Sequence, residues 1–159
     1  MTAPSSSSRP NAEDAGRWVT SRVGSAGYRV DILAGAHTAI ADEPIILGGT
    51  NHGPTPYEYL LSALGSCMAM TLRMYADRKG WNLTGATIQL RSSRSHELDC
   101  EQCETEDVGI GRIERRIHLE GALTEEQRAR MLQIADRCPV KQTLERGIRV
   151  ISTEPDPSQ

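Results

Sequence analysis

The chain has 159 residues, 38% of them hydrophobic and 25% charged, with a formal net charge of −3. That length fits one domain with a core of its own. The mixed, near-balanced charge gives no reason to expect nucleic acid or an anionic membrane surface as a partner, and no apolar run reaches the length of a membrane span.

The chain opens Met-Thr-Ala-Pro and four serines, with neither a basic n-region nor an apolar h-region. The expectation is a chain without a secretory signal, working in a reducing cytoplasm. Its four cysteines are then core filler, metal ligands or redox thiols rather than a disulfide framework. Phe is absent, so the core must be built mainly from Leu, Ile, Val, Ala and Met.

Residues 1–16 are Ser, Pro and polar residues and read as a disordered arm, as do residues 154–159 at the other end. Residues 17–153 show no internal repeat and no linker. From Trp18 to about Leu47 the pattern is strand and turn. Tyr28, Val30 and Ile32 alternate with Arg29, Asp31 and Leu33, and Gly24–Gly27 and Ala34–Ala36 mark turns. Gly48 to Pro54 reads as a loop.

A long helix follows. Thr55 suits its cap, Pro56 its first position, and Thr55 with Glu58 makes a capping-box pattern. Tyr57, Leu60, Leu61, Leu64, Met68, Thr71, Leu72 and Tyr75 recur at spacings of three and four, and Gly80 ends the run. Between Leu60 and Met74 the only charge is Arg73. A helix apolar on all sides is buried on all sides, so a sheet or a second subunit must cover it.

Residues 84–94 read as a strand with Ile88 and Leu90 inward, and 95–108 as a polar, acidic loop. Residues 110–120 alternate again, with Ile113, Ile117 and Leu119 on one face. Arg115 falls on that apolar face, which is unusual. Thr124 and Gln127 form a second capping box, opening a helix to about Arg137. Cys138-Pro139 interrupts it, because proline lacks the donor that would continue the ladder. Pro139 then starts a short helix to Arg146, closed by Gly147, and Ile148–Ser152 reads as a final strand. The order defines an α+β domain.

Cys67 lies mid-helix beside Ala63, Gly65 and Ser66. It is either apolar filler or a thiol that another backbone or a ligand can approach closely. Cys138 precedes a helix-starting proline. It is either an inert turn residue or a cap whose amide donors and helix dipole stabilise a thiolate. Cys100 and Cys103 form a Cys-x-x-Cys with His96 nearby and His118 as a distant donor. That loop is inert surface, a metal knuckle or a redox pair opposed by Asp99, Glu101 and Glu104. His37 and His52 read as lone solvated histidines. No phosphate loop, Ser-His-Asp order or paired-carboxylate motif stands out.

Several segments together resemble the OsmC/Ohr family. They are Asp42-Glu43-Pro44; Gly48 through Cys67, reading GGTNHGPTPYEYLLSALGSC; Met70 to Ala76; and Ala135-Asp136-Arg137-Cys138-Pro139-Val140 with Thr143-Leu144. The resemblance covers roughly 17–153, and its closest look is to OsmC-like modules fused to α/β-hydrolases, here without a hydrolase domain. It implies an intertwined homodimer, with antiparallel β-sheets wrapped around two central Cys-bearing helices. It also implies a thiol-dependent peroxidase for organic hydroperoxides, restored by a dithiol reductant and active in oxidative-stress defence. Carried over, Cys67 is the peroxidatic residue, Cys138 the resolving one and Glu58 the acidic residue of the site. No metal, haem or flavin is implied.

Two features depart from that pattern, the acid at the helix start and the residue after Cys-Pro-Val, and the supporting arginine is left unassigned. The family's efficient peroxidases carry an acid directly after the helix-starting proline, where this chain has Tyr57. Glu58 comes one residue later, about 100° around the helix. The family's supporting arginine comes from the N-terminal strands, where Arg22 and Arg29 are both candidates. Lys141 stands where close relatives often carry His. The rival reading is a non-catalytic small-molecule or metal-binding protein on the same scaffold, with Cys100 and Cys103 as a metal site. A third is a partner of a separate hydrolase.

Overall fold

The structure is a computed structural model describing residues 18–94, 99 and 109–152. The expected arm at 1–16, the tail at 154–159 and the Cys100/Cys103 loop with His96 lie outside the described residues. The chain divides into two compact units, residues 1–56 and 57–159.

In the first unit, period-two alternation builds a three-stranded antiparallel meander. Its strands are β1 (Val19–Val23), β2 (Val30–Ala34) and β3 (His37–Ala41). Val30, Ile32 and Ala34 of β2 face inward, while Asp31 and Leu33 are exposed. Ala34 pairs with His37 across a two-residue turn whose first member, Gly35, has φ +61°. Glycine at that position suits the primed turns that match strand twist.

Asp42 organises the loop after β3. Its buried carboxylate accepts from the amides of Glu43 (2.8 Å), Thr50 (3.1 Å) and His52 (3.1 Å) and from the Thr50 hydroxyl. The Thr50 hydroxyl also meets His52 Nδ1. These donors, the Thr50 hydroxyl foremost, hold the Asp42 carboxyl down at about 2, overcoming the opposing effect of burial.

The long helix of the second unit is α1 (Pro56–Lys79). Its end follows the glycine logic of a Schellman stop: Gly80 has φ +62°, and the Trp81 amide donates back to Ala76 O at 3.0 Å. Strands β4 (Gly85–Ser92) and β5 (Ile113–Glu120) form an antiparallel ribbon, in register from Gly85↔Glu120 to Ser92↔Ile113. Helix α2 (Glu125–Ala135) starts at the Thr124/Gln127 capping box, with both reciprocal bonds formed. Arg128 ties it to the end of β5 by donating to Leu119 O (2.7 Å) and Gly121 O (3.0 Å). Helix α3 (Pro139–Arg146) has Cys138 at its cap and Pro139 at its first position.

The main core gathers Leu72 and Ala76 of α1, Leu119 of β5, and Met131, Ile134 and Ala135 of α2. Tyr75 and Trp81 pack against it and meet each other edge to face, with ring centroids 5.5 Å apart. Each fully buried Leu or Met side chain contributes about 1.5–3 kcal/mol through area removed from water.

One expectation is met on one side of a helix, and one is corrected. Helix α1 is buried along a single stripe, Leu64, Met68, Leu72 and Ala76, at four-residue spacing. Met70 and Met74 on another face remain 65% and 62% exposed, so the described residues cover one side of this apolar helix. Residues Ile148–Ser152 form no strand, and Val150 is 92% exposed. Strand propensity is realised only against a paired neighbour, and the described residues supply none to this segment.

Candidate functional site: a paired-thiol centre

Two local features bring Cys67 and Cys138 together. Cys67 sits near the middle of α1, where the apolar stripe turns toward the ribbon. Gly65, two residues earlier, leaves room for Leu90 of β4; a Cβ there would meet Leu90 Cδ1 at 3.3 Å. Cys138 sits at the break between α2 and α3. Its amide donates back to Ala135 O, and its carbonyl accepts the first bond of α3 from Gln142 N at 3.1 Å.

The result is a direct sulfur contact. Cys138 Sγ–H donates to Cys67 Sγ at 2.7 Å, across 71 positions of sequence. Both cysteines are free thiols. Cys138 is fully buried and Cys67 half-buried. Cys138, Leu64 and Met68 form a second core cluster, flanked by Cys67, Ile88, Leu90, Ile113, Val140 and Leu144.

The cap geometry of one of the two readings of Cys138 is present, but its thiol is pushed away from the thiolate. Burial first, and then the hydrogen bond to Cys67, push the Cys138 thiol up from its ordinary value. The amides of Val140 and Lys141 at the start of α3 pull the other way and lose. Cys138 therefore keeps its proton to higher pH than an exposed thiol does.

The sequence-predicted Glu58 lies on the exposed first turn of α1. It precedes Cys67 by nine residues, about 13 Å of helical rise, so within one chain its carboxylate does not touch the sulfurs. Tyr57 beside it donates its hydroxyl to the buried carboxylate of Asp99, which also accepts from Gly109 N at 2.9 Å. Arg94 Nε lies 2.7 Å from the other oxygen of Asp99. Of the two strand arginines, Arg22 is on β1, and Arg29 pairs with Asp31 at 2.9 Å. Both belong to the first unit.

The charges beside the thiols within the second unit are ones that sequence reasoning did not assign. Arg115 Nη2 lies 2.7 Å from Asp136 Oδ1, two residues before Cys138. Lys141 Nζ is 3.5 Å from the same oxygen and 2.5 Å from Glu145 Oε1. Together they tie the Cys138 turn to β5 and to the first turn of α3. The available signal was Arg115 on the apolar face of a strand. A cavity of about 350 Å³ opens here, lined by Leu64 and Met68 as well as Arg115 and Lys141.

The second unit is an α+β arrangement that brings two distant cysteines into contact, a paired-thiol centre. A family model described as OsmC-like protein matches residues 49–153, and the chain belongs to that family. Among solved structures, the chain is similar to an OsmC-like protein from Mycoplasma pneumoniae. That match has a TM-score of 0.66 and 20% identity, covering 80% of this chain and 85% of that one. It is also similar to an organic hydroperoxide resistance protein OsmC from Legionella pneumophila, with TM-score 0.56 and 16% identity over 79% and 88%. A third similar structure is an organic hydroperoxide resistance protein from Elizabethkingia anophelis, with TM-score 0.54 and 18% identity over 78% and 84%. At these identities the likeness establishes the fold. No curated protein matches the sequence.

Proposed function

We propose that the chain is a thiol-dependent peroxidase that reduces organic hydroperoxides, with Cys67 attacking and Cys138 resolving. The observation that carries this reading is the 2.7 Å approach of the two sulfurs. Membership of the OsmC-like family, and the hydroperoxide resistance named for the Legionella and Elizabethkingia proteins, agree with it.

The assignment of roles follows from burial. Cys67 is the more accessible sulfur and takes the peroxide; its thiolate attacks the distal oxygen, the O–O bond breaks, and an alkoxide leaves to be protonated as the alcohol. The oxygen stays on Cys67 as a sulfenic acid. Cys138, already in contact, attacks that sulfur, and its proton leaves with the hydroxyl as water. The product is a Cys67–Cys138 disulfide, two electrons more oxidised than the thiol pair. A dithiol reductant restores both thiols by exchange and leaves as its own disulfide.

The working unit in this reading is a homodimer in a reducing compartment, with a second copy covering the Met70/Met74 face of α1. Among the described residues, no helix is long and apolar enough to cross a membrane. Glu58, nine residues from Cys67 along one helix, would meet the thiols in that assembly only across the subunit boundary.

The test is hydroperoxide-dependent consumption of a dithiol by the fully reduced chain, with cumene and tert-butyl hydroperoxides as substrates. Activity is expected in the wild type and its loss in Cys67→Ser, while Cys138→Ser accumulates a dimedone-reactive sulfenic acid. A reduced, folded wild type inert to both hydroperoxides would sink the reading.

A further inference from the structure

The cavity beside the thiols contains an observation that peroxide chemistry leaves unused. Its walls are Leu64, Met68, Leu90 and Ile113, and its charged groups include Arg115 and Lys141. Arg115 enters from the apolar face of β5, directly opposite Leu90 on β4. One of its terminal nitrogens, Nη2, is used by Asp136. The other, Nη1, is buried and has no hydrogen-bond partner among the described residues.

Buried guanidinium donors are nearly always matched by an acceptor, because leaving one unmatched forfeits its hydration without return. The anionic side chains nearby are already engaged. Asp136 is shared by Arg115 and Lys141, Glu145 is held by Lys141, and Glu114 pairs with Arg112 and Arg91. Among the described residues no acceptor is left for Nη1, and a bound ligand is the group that would match it. A guanidinium fork matches a carboxylate in shape and charge. Apart from Arg112 and Glu145, both already paired, the rest of the lining is mostly aliphatic, which an inorganic anion would leave unfilled. A volume near 350 Å³ is at the small end for ligand sites, about 300–1,000 Å³, so the apolar part is short to medium in length.

We propose that this cavity binds an apolar molecule ending in a carboxylate, with the carboxylate on Arg115 Nη1 and Lys141 Nζ and the chain along Leu64 and Met68. Those two side chains also pack against Cys138, so the bound chain lies beside the sulfur pair. Binding requires no thiol chemistry and stands or falls separately from the peroxidase reading. Where both hold, Arg115 selects hydroperoxides that carry an acid group over neutral ones.

Isothermal titration calorimetry on the full reduced chain tests this with octanoate and the neutral probe 1-octanol. Octanoate is expected to bind the wild type and Cys67→Ser alike, and Arg115→Met to weaken it about tenfold or more, the loss of one charge-assisted hydrogen bond. Arg115→Lys should recover part of the loss, and 1-octanol should not distinguish Arg115→Met from the wild type. No octanoate binding to the wild type, or equal octanoate affinity in Arg115→Met, overturns the proposal. If Arg115→Met does not fold, Lys141→Met takes its place. A loss of about threefold or more with 1-octanol unchanged then supports it, and an unchanged octanoate affinity overturns it. A chain that binds octanoate but reduces no hydroperoxide sinks only the peroxidase reading.

Discussion

Cys138 Sγ–H donates to Cys67 Sγ across 2.7 Å, yet the two sulfurs meet solvent unequally: one is buried, the other half-buried. Iodoacetamide at neutral pH should therefore label Cys67 well before Cys138 in the reduced native chain. Unfolding in guanidinium should make the two react alike. Peptide mapping by mass spectrometry separates these cysteines from Cys100 and Cys103. Equal native labelling of Cys67 and Cys138 would contradict the burial on which their roles rest.

The raised Cys138 thiol also sets a stability limit at high pH. The unfolded chain gives up this proton near the ordinary value of 9.0, while the folded chain holds it longer. Above that pH the unfolded state binds fewer protons, so stability falls as pH rises. Its contribution is full below about 9 and is lost as the pH climbs through the folded-state value. Urea titrations between pH 7 and 11 should show this decline, and Cys138→Ala should flatten it. An unchanged slope in Cys138→Ala would place the effect elsewhere.

Asp42 predicts the opposite dependence at low pH. Its carboxyl is lowered from 3.8 to about 2 by the Thr50, His52 and Glu43 donors. Its contribution is present above 3.8 and fades as pH falls toward 2, because the unfolded carboxyl takes its proton first. Asp42→Asn should lower Tm by several degrees at pH 7 and lose much less between pH 4 and pH 2 than the wild type does. Parallel curves for the two proteins would show that the carboxylate is not the group that titrates.

Two substitutions probe how the ribbon and helices are fitted together. Met131 is fully buried in the main core, and Met131→Ala should cost about 2–5 kcal/mol, read from the urea unfolding midpoint. Gly121, at φ +120°, follows β5 so closely against the neighbouring loop that an added Cβ would lie 2.1 Å from Asn82 O. Gly121→Ala should therefore destabilise by more than about 1 kcal/mol, whereas Gly24→Ala, with open space around it, should change stability little.

The exposed Met70 and Met74 make the subunit arrangement testable without reference to catalysis. Sedimentation velocity should find a dimer for the wild type and a shift toward monomer in Met70→Glu/Met74→Glu, since two desolvated charges oppose burial of that face. A double variant that stays dimeric would mean that another surface joins the subunits.

Local rules carried the reading of this chain far where their causes were local. Thr124 and Gln127 marked a capped helix start that the structure forms, and Pro139 marked the break that puts Cys138 at a cap. The β4 and β5 alternation placed Ile88, Leu90 and Ile117 inward, and all three are part-buried against the cores. The Cys138 thiol went the other way, because its charge preference depends on burial by Leu64 and Met68 from a distant helix, and no window around Pro139 contains them. The same holds for Arg115: its place on an apolar face was visible, but its Asp136 partner comes from a separate helix. Ile148–Ser152 has strand composition without a strand partner, and composition cannot supply one.

The residue that carries the inner sulfur also receives the first backbone bond of α3, from Gln142 N. Oxidation to a Cys67–Cys138 disulfide would therefore fasten the root of one helix to the middle of another, closing a covalent ring across 71 positions. By chain entropy alone such a ring removes about 4 kcal/mol of freedom from the unfolded ensemble. The turnover state waiting for reductant would then be the form hardest to melt or digest, and heat resistance would become a readout of redox state.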